Sequence, residues 1–280
     1  MSSNATDAAG TRAGTLTAFN SDGFSLGNDS TYAGTNLDAT SYVAWNWKAN
    51  GAGSSNTSGS ITSTVSTNTT SGFSVVTYTG TGSNATVGHG LGVTPSMVIV
   101  KNRGSAVDWA VWHTSIANTQ YLILNSSTSA ATNTTAWNST TPTSTVFSIG
   151  TLTSTNTSAA TYVAYCFAPI AGYSAFGSYT GNGSADGPFV FTGMRPAFVM
   201  IKRTSSTGDW FIYNNKTSLA NVVAPYLVAN TSGAEGTYTT LDFLSNGFKL
   251  RVSDAEVNGS GSTIIFMAFA EAPQKFSLAR

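Results

Sequence analysis

Apolar and polar positions alternate over short stretches of this chain, and two stretches are continuously apolar. Residues 73–78 alternate in part, whereas 97–100 and 198–201 are uninterrupted apolar runs. Alternation predicts a half-buried strand, and a short continuous run bounded by turn residues predicts a strand buried on both faces. Pro95 and Pro196 stand just before the two runs, where a strand can begin with proline. We therefore expect buried central strands at both places.

Shorter apolar stretches add further strands between turn residues. Residues 109–112 and 210–213 each follow a polar, glycine-containing segment, which is a hairpin signal. Strands are also expected at 121–124, 147–149 and 162–168, and no segment shows a helical period with caps. The pattern predicts an all-β protein with two tandem antiparallel β-sandwich or jelly-roll-like modules plus an N-terminal half-module.

The modules are recognised because the sequence repeats itself. The motif at 78–83 returns at 179–184, an offset of 101 residues, and the motif at 160–168 returns at 262–270, an offset of 102. A nearly constant offset over a whole unit indicates a duplicated supersecondary unit. We expect Pro95 to superpose on Pro196.

The N-terminal segment repeats only the end of a unit. Residues 23–27 and 41–48 match the part of module 1 from 147 to 168. We therefore expect 21–49 to form a strand, a loop and a second strand. We also expect the given chain to begin inside a module. The predicted division is an N-terminal partial module (1–49), an extended Ser/Thr/Asn/Gly-rich linker (50–71), β-module 1 (72–169), β-module 2 (171–273) and a tail (274–280).

Composition narrows the classes of partner. Charged residues make up 9% of the chain, with 12 basic and 12 acidic side chains, whereas a phosphate-binding surface needs clustered Lys and Arg. No apolar run approaches the roughly 18 residues of a membrane span. The single cysteine, Cys166, forms no intrachain disulfide and is expected to be a buried strand residue. We expect neither a nucleic-acid partner nor membrane insertion.

The residues for catalysis are sparse. Asp108 is the only carboxylate between Ala39 and Ala185, so module 1 lacks the paired acids that glycoside hydrolysis needs. Both histidines, His89 and His113, lie in module 1, where too few further metal ligands accompany them. The Gly-rich segment 88–92 lacks the Gly-Lys-Ser/Thr signature of a phosphate loop. We expect a non-enzymatic protein without a metal or cofactor.

One Lys and Asp pair occurs at the equivalent place in each module. Lys101 with Asp108, and Lys202 with Asp209, flank equivalent hairpins and are interpreted as structural charge pairs that fix strand register, each contributing about 0.2–1 kcal/mol. The alternative is that each pair forms a sugar-contacting edge with the adjacent tryptophan.

Three tryptophans are the candidate ligand-binding residues. Sugars stack on exposed aromatic faces, and Trp137 lies in a polar stretch without a counterpart in the other copy. Trp109 and Trp210 stand beside the Lys and Asp pairs. The alternative for all three is packing in the sandwich core.

The repeated motifs also resemble a known family. Gly-Phe-Ser-Val-Val-Thr-Tyr-Thr-Gly at 72–80, Asp-Trp-Ala-Val-Trp-His at 108–113 and Tyr-Val-Ala-Tyr-Cys-Phe-Ala at 162–168 resemble a repeated module, catalogued as a domain of unknown function, in tail and fibre-type structural proteins of marine bacteriophages. The resemblance covers about residues 20–273 and implies a non-enzymatic virion protein of a tailed phage, in a tail, fibre or surface decoration. Its localisation would be the virion, assembled in the host cytoplasm and exposed outside the cell. Its partners would be other virion subunits and a cell-surface glycan. The alternative function is a free-standing carbohydrate-binding or adhesin module.

The half-module suggests an assembly. Residues 42–47 would present one apolar face that two strands alone cannot cover. Either a full module of the same chain or a neighbouring subunit covers it, and we favour the neighbouring subunit, which predicts a homo-oligomer.

Overall fold

The computed structural model describes residues 1–12, 14–28 and 34–271, so the predicted tail at 274–280 lies outside the described residues. The protein is all-β, as expected. Its strands are β1 (Leu16–Phe19), β2 (Phe24–Leu26), β3 (Ser54–Asn56), β4 (Ser63–Asn68), β5 (Phe73–Thr79), β6 (Ala85–Gly88), β7 (Met97–Asn102), β8 (Ala110–His113), β9 (Gln120–Ile123), β10 (Ala131–Thr132), β11 (Val146–Ile149), β12 (Thr161–Phe167), β13 (Ser174–Thr180), β14 (Phe189–Phe191), β15 (Phe198–Arg203), β16 (Trp210–Asn214), β17 (Val223–Val228), β18 (Gly236–Leu244), β19 (Gly247–Leu250) and β20 (Thr263–Phe269). Within the described ranges there are two helices, α1 (Thr153–Asn156) and α2 (Ala255–Asn258), of four residues each.

Module 1 is a two-layered antiparallel structure. One layer is an eight-stranded sheet in the order β10-β9-β8-β7-β12-β5-β4-β3, and the other is the β11–β6 pair. Val76 and Val98 of the large sheet belong to the same buried cluster as Val87 and Phe147 of the small one. The predicted apolar run at 97–100 is confirmed as a fully buried central strand, β7.

Module 2 has the same central arrangement in an eight-stranded sheet of order β13-β20-β15-β16-β17-β18-β19-β14. In each module the last strand lies between the first strand and the strand that begins after the proline. Phe167 of β12 is opposite both Phe73 and Met97, and Phe269 of β20 is opposite both Ser174 and Phe198. Pro95 and Pro196 therefore occupy equivalent places before β7 and β15.

One strand distinguishes the two modules. In module 2, β18 pairs with both β17 and β19 and so joins the two layers into one curved sheet. The corresponding stretch of module 1, residues 133–145, contains no strand. Its Trp137 is instead buried in the module core.

Residues 50–71 differ from the predicted extended linker. They form β3 and β4, and β4 pairs with β5 to extend the sheet of module 1. Val65 is buried in the core and Ile61 bridges to Val87 across the two layers. The segment has few apolar residues because it lies at the sheet edge, where backbone hydrogen bonds supply the pairing.

The N-terminal copy has a hairpin that matches one in module 2. In β1–β2, Phe19 is opposite Phe24, and in β18–β19, Phe243 is opposite Phe248. The predicted first strand of this copy is thus present as β2.

The second strand predicted for the N-terminal copy is absent. Residues 41–50 are not assigned to any strand. The equivalent strands β12 and β20 each pair with two neighbouring strands, whereas residues 41–48 belong to none of the sheets formed by the described residues. A single extended chain cannot form a ladder by itself.

Three equivalent aromatic residues meet where the copies join. Trp47, Phe167 and Phe269 are each the last aromatic residue of the corresponding motif of one copy. Their ring centroids are 6.0 Å apart for Trp47 and Phe167, 5.4 Å for Trp47 and Phe269, and 6.0 Å for Phe167 and Phe269. All three contacts are edge-to-face, the arrangement that the aromatic quadrupole favours. We call this group the aromatic triangle.

A common apolar cluster surrounds the triangle. It includes residues of both full modules, among them Met97, Phe198 and Met267, together with the partly buried Trp45 of the N-terminal copy. The half-module therefore has its apolar side covered by the full modules of its own chain. The expected homo-oligomer stays a prediction, because this packing concerns contacts within one chain.

Candidate functional site

The three candidate ligand-binding tryptophans are all buried. The exposed fractions of Trp137, Trp109 and Trp210 are 2%, 6% and 1%. Their faces pack in apolar clusters, so none presents the open aromatic surface on which a sugar ring stacks. This burial favours the packing alternative at each position.

The two lysines do not form the predicted charge pairs. Lys101 Nζ donates to the carbonyl oxygens of Thr6 at 2.9 Å, Ser105 at 3.3 Å and Val107 at 2.9 Å. Lys202 Nζ donates to the carbonyl oxygens of Ser127 and Gly208. Among the described residues, no ion pair joins either lysine to its aspartate.

Burial explains why carbonyl partners are needed. Both lysine side chains have exposed fractions of 0%, and burial lowers the pKa of Lys101 and lowers that of Lys202 to about 8. The charges of Asp108 and Asp209 oppose these shifts from a distance. Carbonyl oxygens on several sides replace the water that each ammonium loses.

The two aspartates have another partner. Asp108 Oδ1 accepts a hydrogen bond from Asn125 Nδ2 at 2.8 Å, and Asn125 Oδ1 accepts from the Trp109 backbone N–H at 2.9 Å. Asp209 Oδ1 accepts from Asn230 Nδ2 at 2.7 Å, and Asn230 Oδ1 accepts from the Trp210 N–H at 2.8 Å. These hydrogen bonds link the start of β8 to the loop after β9 in module 1, and the start of β16 to the loop after β17 in module 2.

Lys202 and Trp210 hold a loop of the preceding module. Trp210 Nε1 donates to the Ile123 carbonyl at 2.9 Å, Lys202 donates to that of Ser127 at 2.8 Å, and the Ala130 N–H donates to the Thr204 carbonyl at 3.0 Å. Residues 123–130 of module 1 are thus fixed along module 2.

Lys101 and Trp109 hold the N-terminus in the same way. Trp109 Nε1 donates to the Ser2 carbonyl at 3.2 Å, Lys101 to that of Thr6 at 2.9 Å, and the Ala9 N–H donates to the Arg103 carbonyl at 2.8 Å. These three contacts are equivalent to those with module 2, since Ser2, Thr6 and Ala9 each stand 121 positions before Ile123, Ser127 and Ala130. Residues 2–9 therefore lie along module 1 as residues 123–130 lie along module 2. In each module the recurrent Lys and Trp therefore hold a segment of the preceding copy. We call these two residues, Lys101 with Trp109 or Lys202 with Trp210, the copy clamp.

The two histidines and the cysteine are buried within the fold. His113 Nε2 lies 3.2 Å from the Phe266 carbonyl, and its Nδ1 accepts from the Ser115 N–H at 3.1 Å. Burial lowers the pKa of His113 to about 4 and raises that of the Cys166 thiol to about 12. His89 makes the same kind of contacts within module 1. In the described residues, no cluster of three His, Cys, Asp or Glu side chains could hold a metal ion.

A cleft in module 2 is a candidate ligand site. Its volume is about 330 Å³. Tyr238 forms an exposed wall with an exposed fraction of 52%. The cleft combines aromatic rings with hydroxyl and carboxylate groups, and its lining residues are Phe211, Tyr213, Tyr226, Thr237, Tyr238, Thr240, Asp254, Glu256 and Val257.

The two carboxylates of the cleft are held by backbone N–H groups. Asp254 is the N-cap of α2, and its Oδ1 accepts from the Glu256 N–H at 2.8 Å. Glu256 Oε2 accepts from the Asp209 N–H at 3.1 Å. Fixed carboxylate oxygens beside tyrosine rings can accept hydrogen bonds from the hydroxyls of a polyol while a ring covers its apolar face.

The equivalent region of module 1 is filled. Trp112 stands where module 2 has Tyr213, and Leu152 stands at the helix cap where module 2 has Asp254. Both pack in the same core cluster as Trp137. The cleft is therefore a property of module 2, and the unmatched Trp137 is part of the packing that replaces it in module 1.

Sequence reasoning missed the cleft and the copy clamp. The cleft residues come from four separate segments, and only their convergence in the fold identifies them. A signal was present in the concentration of acidic residues in module 2, including Asp254 and Glu256. The clamp had the signal of a repeated Lys and Trp, whose partners are carbonyl groups that no sequence pattern marks.

Comparisons with known proteins give one result. Neither a curated protein nor a solved structure matches the chain. None of the helices in the described ranges has the length and apolarity to cross a membrane. Residues 1–273 match a family model described as "Domain of unknown function (DUF7483)". Because the match spans nearly all of the 280 residues, the chain belongs to this family.

Proposed function

We propose that the chain is a non-enzymatic structural protein of a tailed-phage virion, acting in a tail, fibre or surface decoration. The observation that carries the proposal is the aromatic triangle, in which three copies of one motif pack against one another. The resemblance of the repeated motifs to phage tail and fibre modules supports the virion assignment.

The N-terminal copy and the two full modules are joined to one another at more than one place. Besides the triangle, the copy clamp fixes 2–9 to module 1 and 123–130 to module 2 through partly buried hydrogen bonds. Rigid β-modules without a long flexible joint can hold loops at constant spacing, which suits a part that joins other subunits or faces a host surface.

Localisation in assembled particles tests the proposal. Antibody fragments raised against the chain are bound to purified virions and imaged by electron microscopy, with fragments pre-absorbed on the pure chain as the control. Labelling at a fixed place on the particle is expected. Particles that lack the chain, with all of it in the soluble fraction of the lysate, would contradict the proposal.

The cleft of module 2 favours a second candidate function, carbohydrate binding. Tyr238 offers an exposed ring, and Asp254 and Glu256 offer fixed acceptors within the same cleft. Such a site could serve an adhesin or the host-attachment step of a virion protein.

A glycan array separates this candidate from a purely structural role. We expect binding of a saccharide by the full chain, loss of it in Tyr238→Ala, and retention in Phe191→Ala, which removes an exposed ring of module 2 outside the cleft. Binding that survives Tyr238→Ala, or no binding by the full chain, rules out the cleft as a glycan site.

A further inference from the structure

The cleft of module 2 carries a formal negative charge. Its lining includes the carboxylates of Asp254 and Glu256, and none of its described lining residues is Lys, Arg or His. These two are among only 12 acidic side chains in the whole chain, so their convergence concentrates charge in one cleft. A negatively charged ligand is therefore disfavoured there.

Each carboxylate keeps one oxygen available for a ligand. Asp254 Oδ1 accepts from the Glu256 N–H at 2.8 Å, and Glu256 Oε2 accepts from the Asp209 N–H at 3.1 Å. Within the described residues, Asp254 Oδ2 and Glu256 Oε1 accept no hydrogen bond. The bonded oxygens hold the side chains in place, and the other two can accept from a donor that enters the cleft.

The basic side chains of the adjoining strand do not neutralise these acids by contact. Lys202 and Arg203 lie on β15, which packs against α2, and both donate to backbone carbonyl groups. In the part of the chain that the structure describes, neither forms an ion pair with Asp254 or Glu256. The two carboxylates thus lack a cationic partner within this part of the protein.

Aromatic rings lie beside the two acids. The ring centroids of Phe211 and Tyr226 are 5.4 Å apart, and each lies 6.4 Å from that of Tyr213. Burial raises the pKa of Tyr213, and the negative charges of Asp254 and Glu256 raise it further. The acids therefore act electrostatically on the ring cluster, and one ligand group can interact with both.

Module 1 lacks both parts of this arrangement. Ala110 stands where module 2 has Phe211, as the strand registers show. Leu152 and Ser154 stand where module 2 has Asp254 and Glu256 in the short helix and its cap. The combination of rings and acids is therefore particular to module 2.

An ammonium group suits both the acids and the rings. It donates up to three hydrogen bonds, which are stronger when the acceptor is a carboxylate, and aromatic faces attract it. A neutral ligand would displace water from the two carboxylates without compensating their charge. The volume of about 330 Å³ is at the lower end of the range of about 300–1,000 Å³ for small-molecule sites, so the ligand is small.

We propose that the cleft of module 2 binds a sugar that carries a protonated amino group, with the ammonium at Asp254 and Glu256 and the ring of Tyr238 against the apolar face of the sugar. This inference rests on the carbohydrate-binding candidate and names the class of saccharide. An N-acetylated sugar binds less tightly because acetylation removes the positive charge, and an acidic sugar is repelled by the two carboxylates.

Calorimetric titration of the full chain tests the proposal with three probes. They are an oligosaccharide of glucosamine, its N-acetylated counterpart of the same length, and choline. We expect the glucosamine oligosaccharide to bind at least about tenfold more tightly than the N-acetylated one, because only the first forms charge-assisted hydrogen bonds. High salt should reduce this preference, since it screens charges in an open cleft.

Variants locate the preference in the cleft. Glu256→Gln removes a charge and keeps an acceptor for the Asp209 N–H, and Asp254→Asn keeps an acceptor for the Glu256 N–H. Each should weaken binding of the glucosamine oligosaccharide about tenfold and change that of the N-acetylated one little. The matched control is Asp22→Asn, which makes the same change of charge at an exposed position of the β1–β2 turn and should change neither affinity.

The outcomes separate this inference from the carbohydrate-binding candidate. Equal binding of the two oligosaccharides, lost in Tyr238→Ala, overturns the ammonium assignment and leaves a carbohydrate site. Tighter binding of choline than of either saccharide overturns it in favour of another organic cation. A preference that persists in both Glu256→Gln and Asp254→Asn places the amine elsewhere and also overturns it. No binding of either saccharide by the full chain overturns both the inference and the carbohydrate-binding candidate.

Discussion

The indole of Trp47 packs edge-on against the ring of Phe269, with centroids 5.4 Å apart. The two residues are 222 positions apart in the sequence, yet each is the last aromatic residue of the same motif in its own copy. The incomplete N-terminal copy is therefore joined to the last strand of module 2 as well as to module 1. The chain returns on itself through this contact.

Shortening Trp47 should weaken the whole molecule. We expect Trp47→Ala to lower the free energy of unfolding by at least about 2 kcal/mol, because it removes three edge-to-face contacts and leaves a gap among apolar side chains. Trp47→Phe should cost less, since the other copies have phenylalanine at this place. Urea unfolding measures both variants.

The control for Trp47 lies one residue away. Asn46 is exposed, so Asn46→Ala should change stability by no more than about 0.5 kcal/mol. If Trp47→Ala and Asn46→Ala are equally mild, the triangle does not stabilise the fold.

The sequence was sufficient for the fold class and the central strands because apolar runs and turn residues are local signals. It was insufficient where the decisive partner is distant. Residues 50–71 look like a linker because β3 and β4 pair through backbone groups, and 41–48 looks like a strand because its alternation is intact although neighbouring strands are missing. Lys101 shows the same limit, since its ligands are carbonyl oxygens that include one from Thr6.

Filling of module 1 by Trp137 can be tested by truncation. Trp137→Ala should destabilise the protein by about 3–5 kcal/mol, because the indole is buried among core residues. Tyr238→Ala removes an exposed ring of the cleft and should cost no more than about 0.5 kcal/mol. Thermal unfolding of the two variants would contradict the assignment if Tyr238→Ala were the more damaging.

The copy clamp predicts a reciprocal pair of effects. Lys101→Ala should speed hydrogen exchange at Ala9, whose N–H donates to the Arg103 carbonyl, while Ala130 stays protected. Lys202→Ala should speed exchange at Ala130 and leave Ala9 protected. Amide exchange measured by nuclear magnetic resonance distinguishes the sites, and equal effects of both variants at both sites would refute independent clamps.

His113 should make stability fall in acid. Its pKa is about 4 in the folded protein because burial disfavours the imidazolium, against about 6.5 when unfolded. Below pH 6.5 the unfolded state binds the proton first, so stability decreases as the pH falls from 6.5 to 4, by about 3 kcal/mol for this group.

The matched variant for this effect is His113→Asn, since module 2 has Asn214 at the equivalent position. Urea unfolding between pH 4 and pH 7.5 should show a shallower acid slope in the variant than in the native chain. An unchanged slope would mean that His113 is not the responsible group.

The most direct test of the three-copy arrangement is proton–proton proximity at the aromatic triangle in solution. In a sample with labelled phenylalanine rings, nuclear Overhauser contacts from the Trp47 indole are measured and assigned with Phe167→Leu and Phe269→Leu variants. The three-copy arrangement predicts contacts from Trp47 to both Phe167 and Phe269. Contacts to neither ring, or to Phe167 alone, would contradict it.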